Sequence, residues 1–258
     1  MGEWGEGVGV EKRIEINGDC LSDDPEKRMR WFEEMGRRVR RISADELEMG
    51  RLVGRGGMHE IYEADWDSRR VAVRLFNNGI MEMRPDAIEH DALAGILGLE
   101  VASFLLSNNF IKPFGLLVGE EGKVLGEVTE LVGGVIPLSA WESGVEGSLF
   151  EAHKEINGMR LRPEFFWELR RVVGVLMENN LPFADLRMEN VLVREGKSGL
   201  AEPLIVDFAY YVGGSRWGEV KPISQINELM LKTTTRWEMG FFDDLLFQSS
   251  RWYRFRNE

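Results

Sequence analysis

The stretch that most constrains the fold reads Leu181-Pro182-Phe183-Ala184-Asp185-Leu186-Arg187-Met188-Glu189-Asn190-Val191-Leu192-Val193. It follows a helical pattern predicted over residues 163–180, and its last residues begin a short apolar strand predicted over 190–194. Asp185 and Asn190 therefore stand five residues apart on one short loop, where a carboxylate and an amide oxygen can face different atoms of one site. An Asp and an Asn at this distance are common, but their placement between a helix and an apolar strand is much less so.

A second acidic residue stands at the end of another apolar strand, predicted over residues 204–208. Seventeen residues beyond Asn190, the sequence reads Leu204-Ile205-Val206-Asp207-Phe208-Ala209. An acidic residue at the end of an apolar strand is a candidate functional residue. The other interpretation is an Asp that caps the turn after the strand.

Glycines cluster between two predicted strands nearer the N terminus, in Gly54-Arg55-Gly56-Gly57-Met58-His59-Glu60-Ile61. Glycine has no Cβ and adopts dihedrals that other residues avoid, so such a loop lets backbone amides approach phosphates closely. A plain hairpin containing several glycines would look similar. The following strand carries Val71-Ala72-Val73-Arg74, and its arginine is either a phosphate ligand or an exposed charge at a strand end.

In this order, the four segments resemble the signature motifs of the protein-kinase-like superfamily. Residues 54–61 resemble the G-x-G-x-x-G-x-V loop, and residues 71–74 resemble the V-A-I-K strand. Residues 181–193 resemble the catalytic loop H-R-D-L-x-x-x-N, and residues 207–209 resemble D-F-G. The resemblance covers roughly residues 47 to 212.

The resemblance implies an ATP- and Mg²⁺-dependent phosphotransferase. It assigns the catalytic base to Asp185, the residue that steadies the transferred phosphate to Arg187, and the Mg²⁺ ligands to Asn190 and Asp207. The nucleotide-binding residues that it implies are Gly54, Gly56, Gly57, Ile61, Ala72, Arg74 and Glu100. Glu100 would be the helix glutamate that pairs with Arg74, with Glu89 as its competitor. An unpaired carboxylate in the apolar surroundings of Glu100 is costly, which favours the paired role.

Several positions depart from the family's pattern. His59 replaces the third glycine, Arg74 replaces lysine, Phe183-Ala184 replaces His-Arg and Ala209 replaces the glycine of D-F-G. Because the arginine before Asp185 is missing, control by phosphorylation of an activation segment is not expected. The chain also lacks an A-P-E element. Its compactness resembles the minimal kinases that bacterial pathogens deliver into host cells, and residues 221–229 are similar in character to the tail of one such group.

Composition narrows the partners and the compartment. A net charge of -12 and a pI near 5.0 argue against a surface made for nucleic acid. The single cysteine, Cys20, excludes an internal disulfide framework, and the three scattered histidines do not form a zinc-ligand set. No transmembrane segment, signal peptide or lipid anchor is predicted. We expect a cytoplasmic protein, with the cytoplasm of a host cell as the alternative.

The predicted fold class is α+β, a two-lobed protein-kinase-like fold. Residues 1–45 form an extension whose first part, residues 1–25, is predicted to be mobile or loosely docked. A basic amphipathic helix then begins at Asp24-Pro25 and either packs on the main body or binds a regulatory partner. Residues 46–132 form an N-lobe, with strands at 48–53, 60–66, 70–76, 110–118 and 123–132 and a helix over 85–106. Residues 133–258 form a reduced helical C-lobe.

Three functions are compatible with these motifs. The first is a Ser/Thr protein kinase with a protein substrate. The second is a pseudokinase scaffold that binds nucleotide weakly or not at all, which the replaced motif residues would suit. The third is a kinase for a small molecule such as a sugar or an aminoglycoside, which the missing peptide-platform elements would suit.

Overall fold

The architecture follows from a computed structural model, which describes residues 14–77, 79, 81, 85–141, 154–181, 188–196 and 199–210. Within these residues the fold is α+β, with a mixed six-stranded sheet, a small three-stranded sheet and three helices. The predicted α+β class is thereby confirmed. No helix in the described ranges is long and apolar enough to cross a membrane.

The larger sheet contains strands β1 (Arg41–Ser43), β2 (Glu48–Arg55), β3 (His59–Trp66), β4 (Arg69–Phe76), β5 (Pro113–Val118) and β6 (Val124–Glu130). Their order across the sheet is β1-β5-β6-β4-β3-β2. Every neighbouring pair is antiparallel except β1 and β5, which run parallel. Strands β2 to β6 confirm the predicted strands to within a few residues. Strand β1 was not predicted, and it brings residues 41–43 of the N-terminal extension into the same sheet as residues 48–130.

The two faces of this sheet carry different residues because side chains alternate along a strand. On β4, Val71 and Val73 are fully buried in a cluster with Val128 on one face. Phe76 lies in the other, larger core, toward the helices. Arg74 stands two residues before Phe76, so it shares that inner face.

Three helices surround the larger core: α1 (Pro25–Gly36), α2 (Pro85–Leu105) and α3 (Pro163–Glu178). All three confirm predicted helices. Helix α1 begins where expected, since the Asp24 side chain accepts a hydrogen bond from the backbone N–H of Glu26 and Pro25 occupies the first turn. Its apolar face, with Trp31, Phe32 and Met35, is buried against the core.

The smaller sheet contains β7 (Ile136–Pro137), β8 (Val191–Glu195) and β9 (Ala201–Ile205), all antiparallel. Strand β9 begins and ends three residues earlier than the predicted 204–208, so Asp207 lies two residues beyond it. Backbone hydrogen bonds join Ile205 to Asn109 and to Ile111, just before β5. The smaller sheet is thereby tied to the segment that enters the larger one.

The segment before α1, predicted to be mobile or loosely docked over residues 1–25, is docked in its described part, residues 14–24. Cys20 is fully buried, and its carbonyl accepts hydrogen bonds from Arg28 (2.9 Å) and from the hydroxyl of Tyr210 (2.6 Å). Arg28 also donates to the carbonyl of Asn180 (3.0 Å), and its guanidinium lies over the Tyr210 ring. The basic helix therefore packs on the body through a buried arginine, which connects it to the end of α3 and to the segment after β9.

Candidate functional site

The candidate site is centred on Arg74, in the middle of the larger sheet. Arg74 is 8% exposed, and its position on β4 is held on both sides, since Ile61 of β3 and Glu127 of β6 are its direct register partners. A Cβ added at Gly126 would lie 1.9 Å from the Arg74 carbonyl oxygen. The two strands can therefore approach this closely only because residue 126 is glycine.

Two carboxylates share the guanidinium of Arg74. Its Nη1 donates to Glu127 Oε2 at 3.0 Å, and its Nη2 donates to Asp207 Oδ2 at 2.8 Å. Burial by itself would lower the pKa of Arg74, but the charges of Glu127 and Asp207 outweigh burial and raise it. Arg74 is thus a permanently charged group that bridges the larger sheet and the segment after β9.

Glu127 is the more deeply buried of the two partners. It is 3% exposed, and burial raises its pKa to about 7, while the charge of Arg74 acts in the opposite direction. A Cβ added at Gly95 of α2 would lie 2.6 Å from Glu127 Oε1. The carboxylate therefore fits in a space that α2 leaves open at a glycine.

Asp207 and Asn190, the two predicted Mg²⁺ ligands, are brought close together at one end of the smaller sheet. Asn190 immediately precedes β8, and its carbonyl accepts a hydrogen bond from the N–H of Val206 at 3.1 Å. The Asp207 side chain is 33% exposed, so a carboxylate bound to Arg74 still reaches solvent. The sequence would predict that Asn190 and Asp207 lie close together only if it showed that the strands predicted at 190–194 and 204–208 pair with each other.

Helix α2 holds the segment that carries Asp207. The backbone N–H of Tyr210 donates to the carbonyl of Ala94 at 2.7 Å. A Cβ added at Gly98 would lie 2.2 Å from the Phe208 carbonyl oxygen, so only glycine permits this contact. Phe208 itself is buried and packs edge-on against Phe110. The signal for this contact in the sequence was the pair of glycines three residues apart, Gly95 and Gly98, inside an otherwise apolar helix.

The glycine-rich loop is the connection between β2 and β3. Gly54 lies within β2 and packs against Ile61, whereas Gly56 and Gly57 are exposed at the turn. The turn is closed by a hydrogen bond from Gly56 N–H to the His59 carbonyl at 2.8 Å, and the Asn77 side chain donates to the Gly57 carbonyl at 2.9 Å. None of these three glycines has a positive φ. The expected need for unusual dihedrals is therefore not met here, and packing does not require glycine at Gly57 either, since a Cβ there would meet no atom within 4 Å.

His59, which replaces the third glycine of the motif, faces the same site. Its ring packs on Phe76 at 4.5 Å between centroids. Burial lowers its pKa to about 4, and the charge of Arg74 adds to that effect while Asp207 opposes it. His59 is therefore neutral at physiological pH, and its Nε2 is buried with no hydrogen-bond partner among the described residues.

The predicted pairing of Arg74 with a helix glutamate is not formed. Glu100 lies on α2, half-buried, where burial raises its pKa and Lys112 acts in the opposite direction. Its competitor Glu89 pairs with Arg41 at the surface. The carboxylates that Arg74 contacts in the described part of the chain are those of Glu127 and Asp207. The resemblance places the partner of Arg74 on a helix, so Glu127 on β6 was not predicted. The signal for it was that this glutamate interrupts the apolar run of β6.

The remaining predicted site residues divide into two groups. Ala72 is buried on β4, opposite Thr129, and Ile61 lies opposite Arg74. The predicted catalytic residues Asp185 and Arg187 lie outside the described residues, as do Phe183 and Ala184 and the whole tail after Tyr210.

The donors present fit a Mg²⁺-nucleotide better than a metal held by protein alone. The described ranges contain no cluster of three or more His, Cys, Asp or Glu side chains that could hold a metal. Mg²⁺ is usually bound through one or two carboxylates together with substrate phosphates and water, and Asp207 with Asn190 matches that pattern. Arg74 and the exposed turn at Gly56 and Gly57 are the groups suited to phosphate oxygens.

No protein-family model matches the chain, and no curated protein is significantly similar to it.

Proposed function

We propose that the chain is an ATP- and Mg²⁺-dependent phosphotransferase of the protein-kinase-like superfamily, with a Ser or Thr hydroxyl of a protein as acceptor. The observation that carries the proposal is the contact between Arg74 and Asp207, 2.8 Å apart, with Asn190 beside the Asp207 segment. The resemblance assigned these three residues to one phosphate and metal site on sequence motifs alone. Their convergence from distant parts of the chain supports that assignment.

The arrangement of elements supports the same proposal. A glycine-rich turn joins two antiparallel strands, the cation lies on the next strand, and a helix follows. A hairpin of two short strands then places Asn190 just before its first strand and Asp207 just after its second. This is the order in which the kinase motifs occur.

Each residue of the site has a definite task in this mechanism. Arg74 binds phosphate oxygens and neutralises their charge, and its planar guanidinium can donate two hydrogen bonds at once. Asp207 and Asn190 would hold Mg²⁺, which offsets the charge that develops on the phosphates during transfer. Asp185 would accept the proton of the acceptor hydroxyl, and Arg187 would steady the transferred group, both roles coming from the resemblance.

An Asp185→Ala variant tests the proposal. We expect transfer of the γ-phosphate from ATP, with Mg²⁺ and a generic protein acceptor, to fall by about a hundredfold or more, since loss of a general base removes that much. Asp65→Ala is the matched control, because Asp65 is exposed on β3 and away from the site. A wild-type chain without transfer, or an Asp185→Ala variant as active as wild type, would refute the proposal.

A nucleotide-binding pseudokinase is the second candidate, and the same contact favours it in one respect. The Asp207 carboxylate is already bound to Nη2 of Arg74 and Glu127 to Nη1, so both of these nitrogens have a protein partner without a ligand. A pseudokinase would bind nucleotide weakly and transfer nothing. Robust phosphate transfer that Asp207→Ala abolishes would exclude it.

A further inference from the structure

We propose that Glu127, on β6, is the residue that positions Arg74 for nucleotide phosphates, in place of a glutamate on α2. The inference rests on the proposed function, since it names the residue that supports the phosphate-binding arginine. It concerns positioning only, because the buried Glu127 carboxylate contacts Arg74 and would act on the nucleotide through that arginine.

The geometry of the pair carries the inference. Arg74 and Glu127 face each other directly across two hydrogen-bonded strands, and Arg74 Nη1 lies 3.0 Å from Glu127 Oε2. Directly opposed residues of neighbouring strands have the shortest side-chain separation in a sheet. Because both backbones are fixed in the sheet, the direction of the guanidinium is fixed as well.

Burial makes this contact obligatory. Glu127 is 3% exposed and its carboxylate contacts Arg74, which is also buried, so a charge on Glu127 depends on Arg74 for compensation. Asp207, with a third of its side chain exposed, is the partner that can exchange Arg74 for a ligand. When a phosphate group replaces Asp207 at Nη2, Glu127 keeps Nη1 and holds the fork in place.

Helix α2 supports the glutamate by steric fit. Gly95 faces the Glu127 carboxylate so closely that an added Cβ would lie 2.6 Å from Oε1. The helix therefore shapes the space for a carboxylate that comes from the sheet. Because Glu127 belongs to the sheet, a rotation of α2 would leave Arg74 with its partner. A partner glutamate on α2 would be moved away by the same rotation.

Calorimetric titration of the full chain provides the test, with two probes: a non-hydrolysable ATP analogue together with Mg²⁺, and adenosine alone. Glu127→Met keeps the length of the side chain and removes its acceptor. We expect it to weaken binding of the triphosphate by about ten- to a hundredfold, the usual effect of removing a group that orients a ligand-binding side chain. Adenosine has no phosphates for Arg74 to contact, so its affinity should change by less than about twofold. General damage to the fold would weaken both probes.

Two further variants complete the experiment. Gly95→Ala displaces the Glu127 carboxylate without removing its charge, and we expect the same selective loss of triphosphate affinity, so the inference stays testable if Glu127→Met does not fold. Glu130→Met is the control on the same strand, because Glu130 is exposed, and it should bind both probes as wild type does.

The outcomes separate the inference from the proposed function. If wild type binds the triphosphate and both Glu127→Met and Gly95→Ala bind it equally well, Glu127 does not position Arg74, and the proposed function stands. A selective loss in Glu100→Met instead of Glu127→Met would also overturn the inference, in favour of the helix glutamate. If wild type binds neither probe, the proposed function fails and the inference fails with it.

Discussion

Asp207 Oδ2 lies 2.8 Å from Arg74 Nη2, although 133 residues separate the two in the sequence. The contact joins the middle of the larger sheet to the segment that follows the smaller one. Since Arg74 is buried and held by Glu127, the position of Asp207 depends on the sheet as much as on its own segment.

The proposed function requires that Asp207→Asn remove the Mg²⁺ dependence of nucleotide binding. An amide is a poorer ligand for Mg²⁺ than a carboxylate, so we expect the affinity for a Mg²⁺-ATP analogue to fall by about ten- to a hundredfold, to the value that wild type shows without Mg²⁺. Titration calorimetry with and without Mg²⁺ measures both values. A variant whose affinity still rises with Mg²⁺ as in wild type would exclude Asp207 as a metal ligand.

The stability of the chain should fall in mildly acidic solution because of His59. Burial lowers the pKa of its folded state to about 4 from 6.5, so the unfolded chain binds the proton more readily between these values. The stability contributed by neutral His59 is complete above about pH 6.5 and is lost as the pH falls toward 4. Each pKa unit corresponds to about 1.4 kcal/mol, so the loss approaches about 3 kcal/mol.

Urea unfolding of wild type and His59→Gln between pH 4.5 and 8 isolates this effect. Glutamine keeps a polar side chain of similar length and does not titrate. As the pH falls below 6.5, the free energy of unfolding should decrease more for wild type than for His59→Gln. If the two pH profiles run parallel, His59 is not buried in its neutral form.

Arg28→Met should destabilise the fold through three separate carbonyls. The Arg28 side chain donates to the backbone of Cys20, Ser22 and Asn180, and it stacks over Tyr210. The Cys20 carbonyl keeps the hydroxyl of Tyr210 as a donor. Each of the other carbonyls costs about 1–3 kcal/mol if it is left without a donor where water cannot reach it. We therefore expect the free energy of unfolding to drop by about 2–4 kcal/mol.

Arg30→Met is the control for that measurement, since Arg30 is on the same helix and exposed. Its effect on denaturant unfolding should stay within about 0.5 kcal/mol. Equal losses in the two variants would mean that the charge of the helix matters, and the buried contacts of Arg28 do not.

Gly98→Ala should displace the segment that follows Asp207. The new methyl group would lie 2.2 Å from the Phe208 carbonyl oxygen and 2.6 Å from the Tyr210 nitrogen, so one of the two backbones must move. Overpacking of this kind costs about 1–3 kcal/mol. We expect a lower thermal midpoint together with weaker Mg²⁺-nucleotide binding, because Asp207 moves with its segment.

Gly174→Ala makes the same chemical change as Gly98→Ala, but we expect the opposite effect on stability. Gly174 lies inside α3, and a Cβ there would meet no atom within 4 Å. Alanine favours a helix over glycine by about 1 kcal/mol, so this variant should be slightly more stable than wild type. If Gly98→Ala were also stabilising, the close approach of α2 to residues 208–210 would be refuted.

The amino-acid sequence by itself predicted the longer elements and the candidate residues. Short β-type and apolar runs separated by glycines and turns located β2 to β6, and the helix start at Asp24-Pro25 with the apolar residues after it located α1, because these signals depend only on neighbours along the chain. The motif order also singled out Arg74, Asn190 and Asp207. Short strands such as β1 and β7 were missed, since two or three residues carry no periodicity and form only when a partner strand is present.

Only the tertiary structure decided which carboxylates surround Arg74. The sequence marked the aspartate through its motif, but Glu127 became the second partner because β6 lies beside β4 in a register that places the two residues opposite each other. Strand order and register depend on contacts between segments far apart in the chain, and no local pattern reports them. Arg74, at the centre of the candidate site, was therefore predictable from the sequence, whereas Glu127, which holds it in place, was not.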